Sequence, residues 1–325
     1  MNGIVRAPLL SICIPTWNRA SLLKLSLERL MEQIVYIHLD EVEILISDNC
    51  SSDNTKFVVQ DFIEKGLPIR YIRNIENIGA ARNFCRCMEC AYGKYIILLG
   101  DDDLLKVGAL HIILDNLRNK EYGLIFIYNL HKANGPVEYD NVVTFFKDIS
   151  FWITFMSGCI FRREIIPKIN EKQYLQTHLL QMPFYIESAL SQNLNLILNV
   201  DILDDGLDSG NNGGFNLFEV FICNYLNIWK GYIERKLLPR YLYDFLKKDI
   251  FIHFILSHVY EQLFWKYNIR KKTSIIQKNR KGYFVENAYK ILFTNYSCKW
   301  YFYLIPAYIV YALFRYGKPR DINHN

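Results

Sequence analysis

The sequence has no apolar run long enough to cross a membrane. Its longest uncharged apolar stretch, residues 300–314, contains Pro306. At about 1.5 Å per residue a helix of that length spans roughly 22 Å, against the about 30 Å hydrocarbon core of a bilayer. The first residues do not read as a secretory signal. Arg6 precedes only the short apolar stretch 9–15, and the Pro-Thr-Trp-Asn-Arg that follows is no small-residue cleavage site. A complete set of cysteines or histidines with metal-ligand spacing is absent. Cys85, Cys87 and Cys90 form C-x-C-x2-C, but no second Cys or His pair completes a site, so a packed helical face is expected. The first strand does not end in a Gly-rich phosphate loop with a Lys, which weighs against nucleotidyl transfer. There is no internal repeat or low-complexity tract. With 51% apolar and 22% charged residues, disorder is excluded as the main description.

What is present is unevenly placed. The 325 residues suffice for one large core with an appended piece. Residues 1–210 carry 20 Lys/Arg against 26 Asp/Glu, whereas residues 211–325 carry 18 against 7. Aromatic residues reach 15%, enough that some rings are expected to face membrane or ligand. An acidic first part and a basic, aromatic last part imply two tasks on one chain. The expected division is 1–215 and 216–325.

The first 130 residues alternate short apolar runs with amphipathic ones. Strands are expected at 9–15, 43–47, 69–73, 95–99 and 124–128, and helices at 19–34, 55–65 and 79–91. Ser52 or Asp53 supplies the cap of the second helix. This alternation implies βαβ units and a doubly wound, mostly parallel α/β sheet, in which ligands bind beyond the carboxyl ends of the strands. Further strands are expected at 156–161 and 194–200, with a helix at 182–191. The Gly/Asn/Asp-rich stretch 204–214 reads as a loop without the terminal acid of a calcium site. From residue 216 onward the chain reads as helices, at 217–235, 241–266 and near 300–314.

Four polar clusters follow the expected strands and should share one crevice. They are Pro15, Thr16, Trp17, Asn18 and Arg19; Asp48 to Asp53; Arg73 to Asn83; and Asp101, Asp102 and Asp103. Three adjacent carboxylates oppose one another's ionisation, a cost that a divalent cation removes. Oxygen ligands suit Mg²⁺ or Mn²⁺, which usually keep diphosphate oxygens as further ligands. The plainer reading is a solvated turn with Asp103 capping a helix that starts near Leu104. Asp48 suits a base N–H or a ribose hydroxyl, or else an Asx turn. Arg82 lies in the first turns of a helix opened by Gly79, where free N–H groups and a guanidinium favour phosphate, or else it makes a surface ion pair.

In this order, P-T-W-N-R, S-D-N-C-S-S-D, R-N-I-E-N-I-G-A-A-R-N and L-L-G-D-D-D resemble the family 2 glycosyltransferases with the GT-A fold. The resemblance is strong over about residues 9–120, and the S-G-C-I-F-R-R from Ser157 looks like a later strand and turn of the family. It implies a metal-dependent hexosyl- or deoxyhexosyl-transferase that moves a sugar from a nucleotide-sugar donor with inversion. It also implies that Pro15, Thr16, Asn18, Arg19, Asp48, Asn49, Asn77, Gly79, Arg82, Asp101 and Asp102 contact the donor, and that Asp102 and Asp103 hold Mg²⁺ or Mn²⁺. Two departures stand out. Gly100 occupies the place of the first acid of the family's L-D-x-D-D, and no Glu-Asp pair supplies the usual acceptor base. His178, Glu187, Asp204 and Asp205 lie in the right region for that base. His178 has a suitable ordinary pKa, near 6.5.

The C-terminal part completes the expectation. Residues 266–281 contain seven basic residues and no acid, and cations flank the aromatic stretch 300–314. Too short to span, that stretch suits a helix lying in a membrane interface, or else one buried against the catalytic domain. No nucleic-acid-binding motif accompanies the charge. The expected protein is a cytoplasmic enzyme, peripheral to the inner face of the cell membrane. Its expected acceptor is a lipid-linked glycan in bacterial surface polysaccharide assembly of the O-antigen kind. The rival readings are a nucleotidyltransferase and a non-catalytic, membrane-docked module that binds nucleotide sugars.

Overall fold

The computed structural model describes residues 7–127, 135–204, 215–258, 291 and 294–296. In chain order the elements are β1 (Leu10–Thr16), α1 (Ala20–Met31), β2 (Val42–Asp48), α2 (Thr55–Glu64), β3 (Ile69–Arg73), α3 (Ala80–Glu89) and β4 (Tyr95–Leu98). There follow β5 (Leu104–Leu105), α4 (Ala109–Asn119), β6 (Leu124–Phe126), β7 (Val137–Tyr139), α5 (Val142–Ile149) and β8 (Cys159–Arg162). The remaining elements are α6 (Gln181–Leu190), β9 (Asn195–Ile197), β10 (Leu203–Asp204), α7 (Tyr225–Glu234) and α8 (Arg240–Ile250). The chain divides into two compact units, residues 1–211 and 212–325.

The first unit is an α/β fold built on one large, mostly parallel sheet, in the order β3-β2-β1-β4-β8-β6-β9-β7. The strands β3, β2, β1 and β4 run parallel, so their carboxyl ends share one edge. β8 then runs antiparallel to both β4 and β6. β1 and β2 are buried along their whole length, so apolar residues fall on both faces and the polar Ser11 and Glu43 are hydrogen-bonded to one another. Alternate side chains serve opposite layers. Leu10, Ile12 and Ile14 pack with Leu23 and Leu27 of α1, Phe62 of α2 and Ile113 of α4 in one core. Cys13 faces the other way, its thiol 3.7 Å from the Cys87 carbonyl of α3. Each buried Leu or Ile contributes about 1.5–3 kcal/mol, so this layer carries the sheet.

Several expected elements change in the structure. Leu104 and Leu105 do not start a helix. They pair antiparallel with Leu203 and Asp204 in a separate two-stranded sheet, Gly108 takes a left-handed φ of 88°, and α4 begins only at Ala109. The expected strand at 156–161 is a 3₁₀ turn, Met156–Gly158, followed by β8. β7 and α5 were not expected at all. In the second unit the helix expected at 217–235 divides into a π-helical segment, Glu219–Asn224, and α7. The one expected at 241–266 is α8 followed by a second π segment, Phe251–Ile255, and its end lies outside the described residues. So do residues 266–281 and 300–314. Among the described residues no helix is long and apolar enough to cross a membrane.

Candidate active site

β1 delivers Thr16 to the carboxyl edge and the chain turns immediately. Asn18 adopts a φ of 52°, a left-handed conformation that Asn tolerates better than most residues. Its Oδ1 accepts the Ser52 N–H at 2.7 Å, and its own N–H donates to Ser51 Oγ at 2.9 Å. The turn after β1 is thereby strapped to the turn after β2. The next residue, Arg19, is left at the mouth of the hollow between them.

A chain of amides fixes the second wall. Asn49 Nδ2 donates to Asn77 Oδ1 at 2.7 Å, and Asn49 Oδ1 accepts from Asn74 Nδ2 at 2.8 Å and from the Ile78 N–H at 3.0 Å. Asn74 Nδ2 also reaches Asn83 Oδ1 at 3.0 Å, and Asn83 Nδ2 closes on the Ser47 carbonyl at 2.9 Å. Gly79 donates its N–H to Asn77 Oδ1 at 2.9 Å and takes a φ of 84°, which an L side chain strains to adopt. With its oxygen occupied twice, Asn77 retains its Nδ2 as a donor beside the start of α3.

The third wall is the carboxylate turn after β4. Asp101 is buried, with Oδ2 accepting from Thr16 Oγ1 at 2.7 Å and Oδ1 paired with Arg19 at 2.7 Å. Burial pushes its carboxyl upward; Arg19 and Thr16 pull it back only in part, and Asp102 adds to the rise. Asp102 is more open and lies 3.4 Å from the same guanidinium. Asp103 turns inward, and its Oδ2 accepts the Ser157 hydroxyl at 2.5 Å. Ser157 Oγ in turn accepts the Gly100 N–H at 2.8 Å. A Cβ on Gly100 would stand 2.8 Å from Asp103 Oδ2 and 2.9 Å from Asp102 Oδ1, so both carboxylates fold over the space that a side chain there would fill.

Together these walls enclose a cavity of about 630 Å³. Of the expected donor contacts it is lined by Pro15, Thr16, Asn18, Arg19, Asn49, Asn77, Gly79, Asp101 and Asp102. Trp17, Asn83, Phe84, Gly100 and Met156 also line it. Trp17 and Asn83 stood inside the quoted motifs without an assigned role. Met156 comes from the 3₁₀ turn that replaces the start of the strand expected at 156–161.

Other expected residues are elsewhere. Asp48 is fully buried and does not line the cavity: its carboxylate accepts from the Ser51 N–H at 2.8 Å, Tyr71 at 2.5 Å and Arg73 at 3.2 Å. Tyr71 and Arg73 share one face of β3, and Arg73 is in register with Asp48 of β2, which brings both donors to the carboxylate. Arg82 is exposed on α3 and outside the lining. Of the expected metal pair only Asp102 lines the cavity. His178 is exposed in a left-handed turn, φ 58°, ahead of α6, and Glu187 is half-buried on α6; neither lines the cavity. Asp204, at the end of β10, is exposed, and Asp205 lies outside the described residues.

Among the described residues no group of three His, Cys, Asp or Glu side chains is arranged to hold a metal by itself. Mg²⁺ and Mn²⁺ rarely need one, since they retain waters and substrate phosphate oxygens. Asp102 Oδ1 and Asp103 Oδ2 both border the space over Gly100, an oxygen pair of the kind that Mg²⁺ or Mn²⁺ takes.

A sequence model of glycosyl transferase family 2 matches residues 11–185, more than half of the chain. The chain belongs to glycosyltransferase family 2. Its sequence is 39% identical over 106 residues to abequosyltransferase RfbV of Salmonella typhimurium, covering 32% of this chain and 31% of that protein. It is 34% identical over 121 residues to the GalNAc(5)-diNAcBac-PP-undecaprenol beta-1,3-glucosyltransferase of Campylobacter jejuni, covering 37% of each. The matches thus span about a third of the length of these curated relatives. Among solved structures, S. aureus TarS 1–349 in complex with UDP-GlcNAc aligns with a TM-score of 0.55 at 16% identity, over 83% of this chain and 77% of that one. At that identity the likeness is one of fold. It agrees with the family's α/β architecture and its mostly parallel sheet.

Proposed function

We propose that this family 2 member is an inverting glycosyltransferase that moves a hexosyl or deoxyhexosyl group from a nucleotide-sugar donor to a glycan hydroxyl. The observation that carries the reading is the convergence of Thr16, Arg19, Asn49, Asn77, Asp101 and Asp102 on one cavity at the carboxyl edge of the sheet. Asn49 and Asn77 are held by fixed hydrogen bonds, so the nucleotide meets a wall already organised for it. Asp102 and Asp103 would hold Mg²⁺ or Mn²⁺ together with the diphosphate. When bound, the cation offsets negative charge on the departing nucleoside diphosphate. Arg19, already between Asp101 and Asp102, adds a second positive charge at the same place.

An inverting transfer requires a base for the acceptor hydroxyl. His178, Glu187 and Asp205 are the groups to replace one at a time. The acceptor is taken to be a lipid-linked glycan of a bacterial surface polysaccharide, in line with the undecaprenol-linked glycan in the name of the Campylobacter relative. The basic, aromatic C-terminal region would keep the enzyme at the membrane surface. The direct test is release of free sugar from UDP-, GDP-, dTDP- and CDP-sugars, with and without a chelator. Turnover of one donor is expected, blocked by the chelator and lowered about a hundredfold or more by Asp102→Ala. No turnover with any donor would instead favour the non-catalytic binding module.

A further inference from the structure

Among the described residues, one lining the donor cavity comes from beyond the carboxylate turn. All the others lie between Pro15 and Asp102; Met156 belongs to the 3₁₀ turn before β8. Strand order explains its place. Along the carboxyl edge β3 and β2 carry the amide wall, β1 carries Thr16 and Arg19, β4 carries the carboxylates, and β8 is next. β8 runs antiparallel to β4 with Ile97 opposite Ile160, so its amino end meets the turn after β4. The bond from the Gly100 N–H to Ser157 Oγ fixes that meeting, and Met156 is the adjoining residue. A nucleotide on the amide wall, with its diphosphate at Asp102, therefore sends its sugar toward Met156.

The polar groups around Met156 are already engaged within the protein. Thr154 Oγ1 donates to the Phe151 carbonyl at 2.7 Å, and the Thr154 carbonyl accepts Gln181 Nε2 of α6 at 2.6 Å. The Met156 carbonyl accepts the Tyr185 hydroxyl at 2.8 Å, and Ser157 Oγ is held between Gly100 and Asp103. Asp101 has one carboxylate oxygen on Thr16 and the other on Arg19. What the turn then presents to a sugar is the Met156 side chain, half-buried, adaptable and without a hydrogen-bond donor.

We propose that Met156 selects a 6-deoxyhexosyl donor over the hydroxylated hexose of the same configuration. A hydroxymethyl group set against a thioether gives up hydrogen bonds to water, whereas a methyl group buries apolar surface there. An apolar subsite disfavours an added hydroxyl by about tenfold to a hundredfold. The inference rests on the donor reading proposed above and narrows its sugar.

Calorimetric titration of the full chain with Mn²⁺ present tests it. The probes are glucose, galactose and mannose linked to UDP, GDP, dTDP or CDP, each beside its 6-deoxy counterpart and the bare nucleoside diphosphate. For the nucleotide that binds, the parent protein should hold a 6-deoxy donor about tenfold more tightly than its hydroxylated partner. Met156→Gln, similar in length but bearing an amide, should bring that ratio close to one, while Met156→Leu should keep it. The bare nucleoside diphosphate, which ends at the carboxylate turn, reports that a variant is folded with its donor wall intact. Where Met156→Gln fails that control, Met156→Ser takes its place. Equal affinity for both sugars, preference for the hydroxylated hexose, or an undiminished 6-deoxy preference in the polar variant overturns the proposal. If the nucleoside diphosphate still binds, any of those results leaves the donor reading standing. No binding of any nucleotide overturns both.

Discussion

Gly100 stands where the family's sequence often carries an acid, and its surroundings explain the exchange. Asp102 and Asp103 fold over it closely enough that even a Cβ would force them apart. Ser157 holds the arrangement from the 3₁₀ turn before β8, bonded at once to the Gly100 N–H and to Asp103. Ser157→Ala leaves both groups buried with one partner fewer, and should lower stability by about 1–3 kcal/mol in urea denaturation. The same substitution should weaken donor binding, because Asp102 loses its fixed neighbour; unchanged donor affinity would make Ser157 a packing residue only. Such contacts explain what was legible residue by residue. Asp101, Asp102 and Thr16 could be placed because parallel strands must deliver their ends to one edge. For Asp48 only the local bond from the Ser51 N–H was legible; its partners Tyr71 and Arg73 belong to another strand. The cue was there, as Tyr-x-Arg on β3 puts two donors on the face toward a carboxylate on β2.

Two helices of the first unit depend on one carboxylate. Asp53 Oδ2 accepts the Ala20 N–H that opens α1 at 2.9 Å, while its Oδ1 accepts the Thr55 N–H that opens α2 at 3.0 Å. Burial opposes its ionisation, but the bonds from Thr55 and Ala20 prevail and hold the carboxyl below its ordinary range. A lowered folded pKa means that Asp53 contributes stability above the unfolded value, near 3.9, and loses it as pH falls through the folded value. Asp53→Ala should therefore cost about 1 kcal/mol near neutral pH, with less difference from the parent in strong acid. A pH-independent difference would show that the carboxylate charge plays no part. The elements themselves divide the same way. β1, β2 and β4 were readable because strands buried along their length are mostly apolar; β3, only half-buried, was readable from its place in the strand–helix alternation. β7 was not, since Val137 and Glu138 are exposed at the sheet's outer edge. Leu104 and Leu105 misled because a two-residue pairing with a segment 98 residues further on leaves no periodic trace.

At the scale of the whole molecule, the charge contrast between the acidic first 210 residues and the basic remainder matches two proposed tasks, donor chemistry and membrane contact. Arg19 illustrates how the first is prepared. A guanidinium keeps company with carboxylates that would otherwise repel, and a divalent cation with its diphosphate can share that role. Stability should therefore respond to metal and donor together more than to either alone. The decisive measurement is a thermal-shift series with UDP-, GDP-, dTDP- and CDP-sugars, with and without Mn²⁺, on the parent protein and Asp102→Ala. Ligand at a hundred times its Kd adds about 2.7 kcal/mol, a shift of several degrees. The account predicts such a shift for one donor in the presence of Mn²⁺, lost in Asp102→Ala; an equal shift in the variant, or none with any donor, would contradict it.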